Sequence, residues 1–159
     1  MKNELTETVF GKKLDQTFTL SEALDLIGSY NLLDIGELAE RAISKRSGVA
    51  QCSKNTPGID LESGVQIKHA QTNPNNSTYD AQLKAWCSIK NTTAPILLVI
   101  TERATKRQYF FHIPYLAYSH VSANTIGIPF HRSGLPYRSN RWWRYEVDSF
   151  DTLCELASA

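Results

Sequence analysis

Three polar residues in the segment GIDLESGVQIKHA, residues 58–70, are of types that could act together on one substrate. Asp60 precedes Gly64, whereas Gln66 and Lys68 follow it and lie two residues apart. Carboxylate and amide oxygens are hard ligands of the kind that Mg²⁺ prefers, and an ammonium group stabilises negative charge that develops on a phosphate. Together these residue types favour hydrolysis of a phosphodiester, provided that the fold brings the side chains together.

The loop between two predicted strands decides whether these side chains meet. With a two-residue loop, Asp60 faces away from Gln66 and Lys68, because a slip of one residue turns every side chain to the other face. A three-residue loop that ends at Gly64 places Asp60 opposite Gln66, and glycine suits the left-handed conformation needed at its end. The sequence favours this second loop. Its other face then carries apolar residues for the core, namely Leu61, Val65 and Ile67.

A metal ion at this site would polarise the scissile phosphate and lower the pKa of a bound water molecule. We expect Asp60 and Gln66 to bind the ion, while the lysine orients the nucleophile or offsets charge in the transition state. One carboxylate is a small charge complement for a divalent ion, so a further acidic ligand is expected. Glu40 on the preceding helix is the first choice, with Glu37 and Glu62 as alternatives.

The order of these elements resembles that of the PD-(D/E)XK nuclease superfamily, which includes type II restriction endonucleases, junction resolvases and some homing endonucleases. The resemblance covers roughly residues 34–113, and its core is Pro57-Gly58-Ile59-Asp60 with Gln66-Ile67-Lys68. Two positions depart from the family pattern. Proline and aspartate are not adjacent, and Gln66 stands where the family usually has an acid. Some similar members carry an amide there and remain active, so the pattern leaves open whether this site is active, weakened or silent.

The resemblance implies a Mg²⁺-dependent, sequence-specific endonuclease that cuts double-stranded DNA, of restriction or homing type, in which Mn²⁺ substitutes for Mg²⁺. A chain of this length offers one active site, so symmetric cleavage of both strands implies a homodimer or a larger two-fold assembly. Two alternatives stay open. One is a catalytically silent nucleic-acid-binding module of the same fold, and the other is a nuclease specific for RNA or DNA junctions.

Charge is distributed unevenly along the chain, although the net charge is only +1. Residues 103–145 contain seven basic residues and no acidic residue, which gives this window a charge of +7. Ten basic and 16 acidic residues lie outside it, which gives the rest of the chain −6. On charge alone, the window fits equally well a surface for a polyanion and a solvated strand edge.

The C-terminal part of this window, PFHRSGLPYRSNRWWRYEV, alternates arginine with aromatic residues. Arginine can neutralise phosphates and can pair with guanine edges in the major groove. We therefore predict that residues 119–139 form an extended base-reading element, and that one of the two adjacent tryptophans lies in the core. The predicted DNA-binding residues are His131, Arg132, Arg138, Arg141 and Arg144.

Capping patterns and hydrophobic periodicity predict the elements that position these residues. Capping boxes start a helix at Thr19, which runs to about Ile27, and a second at Asp34, which Gly48 ends. Thr78 is predicted to cap a helix over residues 79–89 whose Leu83 and Trp86 face inward. The remaining predicted elements are strands at PILLVIT, RQYFFHI, residues 125–129 and RWWRYEV, and a final helix that Ser149 caps and that runs to Ala157.

These elements predict an α/β (α+β) fold with a restriction-endonuclease-like core, in which helices flank a central mixed β-sheet. We expect a single nuclease domain over residues 1–159, with N-terminal helices in 1–47, the catalytic core in 48–113, and the DNA-contacting loop, last strand and terminal helix in 114–159. Three unpaired cysteines and the absence of a signal-like or membrane-spanning segment predict a cytoplasmic protein.

Overall fold

The computed structural model describes residues 8–9, 12–13, 35–53, 56–73 and 82–158, so the helix predicted between Thr19 and Ile27 lies outside the described residues. Three α-helices, one 3₁₀-helix and eight strands lie within the described ranges. In chain order they are β1 (Thr8–Val9), β2 (Lys12–Lys13), α1 (Ile35–Ser47), β3 (Gln66–Gln71), β4 (Gln82–Ser88), β5 (Ile96–Thr101), β6 (Gln108–Ile113), α2 (Tyr115–Tyr118), β7 (Thr125–His131), the 3₁₀-helix (Arg141–Tyr145), β8 (Glu146–Val147) and α3 (Phe150–Ala157).

Four strands form a central mixed sheet in the order β3-β5-β6-β8. Strands β3 and β5 are parallel, whereas β5 and β6, and β6 and β8, are antiparallel. Every residue of β5 is buried, as expected for a continuous apolar run in a strand that is covered on both faces. The predicted strands PILLVIT and RQYFFHI and the mixed α+β fold class are therefore confirmed.

The two faces of the central sheet are covered by different elements. On one face, which we call the helical face, α1 and α3 pack on alternate residues of β3 and β5, including Ile67, Leu97 and Val99. The other face is covered by a two-stranded antiparallel sheet of β4 and β7 and by the 3₁₀-helix. We call this small sheet the ribbon and the face beneath it the ribbon face. Core packing on both faces fixes the direction of every side chain on β3.

The caps of the two longer helices agree with the sequence. Helix α1 ends at Gly48, which has a φ of +76° and donates its N–H to the Ser44 carbonyl at 3.0 Å. Helix α3 begins after Ser149, whose Oγ accepts the N–H of Thr152 at 3.1 Å. Because capping depends on residues within one turn of helix, these two predictions needed no knowledge of the tertiary fold.

The helix predicted over residues 79–89 is wrong, because Gln82–Ser88 forms a strand of the ribbon. Leu83, Ala85 and Cys87 are buried, whereas Trp86 is 47% exposed. This alternation has the period of a strand, so Leu83 faces inward as predicted and Trp86 does not. The connection between parallel β3 and β5 therefore contains a strand in place of the predicted crossover helix.

The last predicted strand, RWWRYEV, is also wrong over most of its length. Arg141–Tyr145 forms a 3₁₀-helix that Asn140 caps by accepting the Trp142 N–H at 3.0 Å, and only Glu146–Val147 is a strand. Both tryptophans are buried, at 6% and 5% exposure, although one was expected in the core. Trp143 packs against Phe111 and also donates its Nε1–H to the Pro129 carbonyl. These tertiary contacts favour the 3₁₀-helix over the extended strand.

None of the helices in the described ranges combines the length and the apolar character needed to cross a lipid bilayer.

Candidate active site and nucleic-acid surface

The candidate site lies where the chain reverses direction before β3. Asp60 donates its N–H to the Val65 carbonyl at 2.8 Å, and Gly64 donates its N–H to the Leu61 carbonyl at 2.9 Å. Gly64 has a φ of +94°, a conformation that favours glycine, as expected for the three-residue loop. The segment before the turn is irregular and forms only a single bridge, between Gln51 and Leu61, so the first predicted strand is wrong.

The turn places the Asp60 carboxylate against the start of β3. Asp60 Oδ2 accepts hydrogen bonds from the Gln66 side-chain Nε2 and from the Ile67 backbone N–H, both at 2.7 Å. The predicted proximity of Asp60 and Gln66 is confirmed. These bonds use one carboxylate oxygen and the amide nitrogen, so Asp60 Oδ1 and Gln66 Oε1 are the atoms that can face a metal ion.

Lys68 lies on the same side of β3 as Gln66, because side chains two residues apart on a strand share a face. With the three-residue loop, Leu61, Val65 and Ile67 were predicted to lie in the core, and all three are buried on the helical face. The polar side chains therefore lie on the ribbon face. We call Asp60, Gln66 and Lys68 the polar cluster.

Burial raises the pKa of Asp60, while the hydrogen bond from the Ile67 N–H and the positive charge of Lys68 act in the opposite direction. Lys68 also favours ionisation of the Cys87 thiol on β4, although burial raises the pKa of that thiol to about 12. The lysine therefore acts electrostatically on two partly or fully buried groups. Such a position suits a cation that responds to charge on a bound substrate.

The predicted third acidic ligand, Glu40, belongs to a helix that packs on the helical face of the central sheet. Helix α1 packs through Ala39 and Ile43 on the helical face, whereas the polar cluster lies on the ribbon face. Glu40 is half-buried on α1, the Glu37 side chain lies outside the described residues, and Glu62 is exposed. Within the described ranges, no group of three or more Asp, Glu, His or Cys side chains is arranged to hold a metal ion.

The donor atoms of the polar cluster nevertheless suit a hard cation. Mg²⁺ usually keeps several water molecules and binds through one or two carboxylates together with substrate phosphates. One carboxylate oxygen of Asp60 and the amide oxygen of Gln66 match that ligand chemistry. Water and the substrate would have to fill the remaining positions, so this site fits an ion that binds together with DNA better than an ion held by protein alone.

The predicted DNA-binding arginines differ in their environments. Arg138 forms an ion pair with Glu146 and lies 5.0 Å from the centroid of the Trp143 ring. Arg141 lies 4.6 Å from the centroid of the Trp142 ring, and Arg144 is exposed on the same 3₁₀-helix. The charge of Arg138 is thus already balanced by a carboxylate, which the sequence pattern did not indicate.

The predicted base-reading segment 119–139 is only partly a loop. Its strand, predicted over residues 125–129, is confirmed as β7 and extends to His131, where it pairs along the ribbon with β4. His131, at the end of β7, and Arg132, in the turn that follows, are both exposed, and the His131 ring packs against Tyr137 with centroids 5.0 Å apart. Pairing with β4 gives this segment a rigid base.

A buried carboxylate that the sequence analysis missed organises the neighbouring turn. Glu102 is 0% exposed, and its oxygens accept hydrogen bonds from Thr72, Ala104 and Thr105. Although burial raises the pKa of Glu102, the hydrogen bonds outweigh it and hold that pKa below its usual value. A Cβ atom on Gly134 would lie 2.7 Å from Glu102 Oε2, so this carboxylate also packs beneath the turn that carries Arg132.

Two histidines, His69 and His112, hold structural positions in the central sheet. His69 lies on the helical face, opposite Lys68 as predicted, and its Nε2 is 3.1 Å from Thr101 Oγ1. Burial lowers the pKa of His112, which favours the neutral ring. Both are half-buried in the central sheet.

Comparisons of this chain with protein-family models, with curated proteins and with solved structures found no match.

Proposed function

We propose that this chain is a divalent-metal-dependent endonuclease that hydrolyses phosphodiester bonds in duplex DNA. The observation that carries the proposal is the polar cluster, in which Gln66 bonds to Asp60 at 2.7 Å and Lys68 lies on the same face of β3. The resemblance to the PD-(D/E)XK pattern supports the same activity, because the cluster uses the residues on which that resemblance depends.

In the proposed reaction, Asp60 Oδ1 and Gln66 Oε1 would hold Mg²⁺, or Mn²⁺ in its place. The metal would act as a Lewis acid on the scissile phosphate and supply an activated water molecule. Lys68 would stabilise negative charge on the phosphate as the attacking oxygen bonds to phosphorus and the leaving oxygen departs. The Ile67 N–H and the Gln66 amide keep the Asp60 carboxylate in one orientation.

The proposed substrate follows from the positive charge in the C-terminal half of the chain. The window of residues 103–145 carries +7, which suits a polyanion, and Arg141 and Arg144, which no described carboxylate pairs with, suit phosphates. A homodimer or larger two-fold assembly would provide the two active sites needed to cut both strands. An intracellular location, where genomic or invading DNA is accessible, is part of the same proposal.

Cleavage of a supercoiled plasmid tests this proposal directly. The protein is incubated with plasmids of diverse sequence in Mg²⁺, in Mn²⁺ and in EDTA, and the products are separated by electrophoresis. We expect nicked or linear DNA only with the metal ions. Parallel reactions with a four-way junction and with structured RNA identify the substrate, and cleavage of these alone would replace duplex DNA in the proposal.

Three features favour a second function, a catalytically silent DNA-binding module. Gln66 replaces an acid, its amide bonds to Asp60, and burial raises the pKa of that carboxylate. All three features weaken a metal site. Binding of duplex DNA without metal-dependent cleavage of any substrate would favour this module over the nuclease.

A further inference from the structure

The 3₁₀-helix brings two arginines to one side of the molecule. Arg141 and Arg144 are three residues apart, and a 3₁₀-helix has three residues per turn, so side chains at this spacing are eclipsed. In the strand that the sequence predicted, the same two side chains would lie on opposite faces. Only the observed backbone allows both guanidinium groups to act on one ligand.

These arginines line a hollow of about 210 Å³ between the 3₁₀-helix and α2. Its lining consists of Leu116, Ala117, His120, Arg141, Trp142, Arg144 and Tyr145, all within the described ranges and none of them acidic. The hollow is smaller than the about 300–1,000 Å³ of pockets for drug-sized ligands, so it suits a single small group. Two guanidinium groups and an imidazole around an aromatic wall select an anion.

Neither arginine is neutralised within the described part of the chain. The ring of Trp142 supports the Arg141 guanidinium at 4.6 Å, and no ion pair joins Arg141 or Arg144 to a described carboxylate. Arg138, by contrast, pairs with Glu146. The hollow therefore presents two positive charges on one side of the 3₁₀-helix, and guanidinium groups match the geometry of phosphate oxygens.

Strand register places the hollow at the same end of the central sheet as the polar cluster. Gln66 pairs with Ile96, and Ile96 pairs with Ile113, after which the chain enters α2 through Pro114. Two strand spacings separate Gln66 from Ile113, which is about 10 Å. Tyr118 of α2 packs with Cys87 in the core of the ribbon face, the same thiol on which Lys68 acts. One DNA strand could therefore contact both places.

We propose that this hollow is a phosphate subsite that binds a backbone phosphate of the DNA substrate, a few nucleotides from the bond cut at the polar cluster. This proposal rests on the proposed function for the identity of its ligand. It assigns Arg141 and Arg144 as the pair of arginines that binds the phosphate, with the His120 imidazole as a third donor. It also predicts that Arg138 contributes little to DNA affinity, although the sequence groups all three arginines together.

The test measures DNA binding in EDTA, so that it does not depend on cleavage. Fluorescence anisotropy with a labelled 30-base-pair duplex gives the Kd over a range of salt concentrations for the wild type, Arg141→Gln, Arg144→Gln and the double variant. Two control variants each remove one positive charge. Arg138→Gln removes it from the ion pair with Glu146, and Lys106→Gln removes it from the turn between β5 and β6, at the end of these strands away from the hollow. Circular dichroism verifies that each variant folds.

We expect each of the two hollow variants to weaken binding about tenfold and to lower the slope of log Kd against log salt by about 0.9. The double variant should lower the slope by about twice as much as each single variant, whereas both controls should keep the wild-type slope. An unchanged slope in the double variant would overturn the subsite. Equal losses in Lys106→Gln would also overturn it, because they would indicate a diffuse charge effect.

Inorganic phosphate separates a DNA subsite from a site for the free anion. At constant ionic strength, phosphate should displace DNA from the wild type more strongly than from the double variant. If the double substitution abolished phosphate binding but left DNA affinity unchanged, the ligand would be free phosphate and the DNA assignment would be wrong. A reduced slope without metal-dependent cleavage would support the subsite and reject the nuclease, so the two proposals fail independently.

Discussion

The Gln66 side-chain amide donates a 2.7 Å hydrogen bond to Asp60 Oδ2, across the turn that Gly64 closes. This bond fixes the rotamers of both side chains and orients their remaining oxygens. The bond also holds the Gln66 amide against the Asp60 carboxylate, whereas a carboxylate at position 66 would repel Asp60. The arrangement therefore keeps an aspartate in place before any metal ion binds, at the cost of one anionic ligand.

Substitution of the lysine separates catalysis from binding. In Lys68→Ala, we expect metal-dependent cleavage to fall at least about 100-fold, because the charge that stabilises the transition state is lost. DNA affinity in EDTA should change little. Lys90→Ala, which removes an exposed lysine after β4, is the matched control and should cleave normally. Full activity in Lys68→Ala would remove this residue from the mechanism.

Neutralising the half-buried Asp60 should stabilise the protein while it abolishes activity. Because burial raises the pKa of Asp60, its stabilising contribution is present below the ordinary value of 3.8 and is lost as the pH rises through the folded-state value. Asp60→Asn keeps a carbonyl acceptor for the Ile67 N–H and should melt about 1–4 °C higher than the wild type at pH 7.

The advantage of Asp60→Asn should disappear below pH 3.8, where the wild-type carboxyl is neutral in both folded and unfolded chains. Thermal unfolding followed by circular dichroism over a pH series measures this difference. In the wild type, cleavage should decline with acidification at a higher pH than an ordinary aspartate would give. A lower melting temperature of Asp60→Asn at pH 7 would contradict the assigned electrostatic cost.

Restoring an acid at the position of the amide tests the metal-binding role. Gln66→Glu replaces the Nε2–H donor with a second carboxylate beside Asp60, so we expect the metal-free protein to lose about 1–3 kcal/mol of unfolding free energy. Added Mg²⁺ should recover part of that loss, since two carboxylates bind a divalent ion more tightly than one. Gln71→Glu, at the other end of β3, is the control.

Melting temperatures with and without Mg²⁺ measure this effect in both variants. A larger Mg²⁺-dependent increase in Gln66→Glu than in the wild type and in Gln71→Glu is the expected outcome. If Mg²⁺ raised all three melting temperatures equally, the ion would bind elsewhere on the chain.

The buried carboxylate of the hairpin turn should control acid stability. Hydrogen bonds outweigh burial and lower the pKa of Glu102, so its stabilising contribution is present above its ordinary value of 4.5 and is lost as the pH falls through the lowered folded-state value. Ala104 and Thr105 donate their N–H groups to different oxygens of this carboxylate, so in Glu102→Gln the new NH₂ group would face one of these two donors. We expect a loss of about 1–3 kcal/mol at pH 7.

Urea unfolding at pH 7 and at pH 3 measures the contribution of this carboxylate. The difference between wild type and Glu102→Gln should be smaller at the lower pH, which lies below the ordinary pKa of 4.5. Glu155→Gln, an exposed residue of α3, should unfold like the wild type at both values. A difference that grew on acidification would contradict the assigned role.

The parts of the fold that the sequence predicted depend on short-range chemistry. The α1 cap at Gly48, the α3 cap at Ser149 and the turn at Gly64 each involve residues a few positions apart. The alternation around that turn also placed Asp60 beside Gln66, because one face of β3 had to bury apolar side chains. Local spacing was sufficient for the candidate site.

The errors arose where distant residues decide the local structure. Residues 82–88 form a strand because Thr125–His131 supplies its partner and the core of the ribbon face buries alternate side chains. Arg141–Tyr145 is a 3₁₀-helix because Trp142 and Trp143 both enter that core. The same packing aligned Arg141 with Arg144. Local sequence determined the turn and its polar cluster, whereas only tertiary pairing and burial decided that Arg141 and Arg144 lie on one side of the molecule.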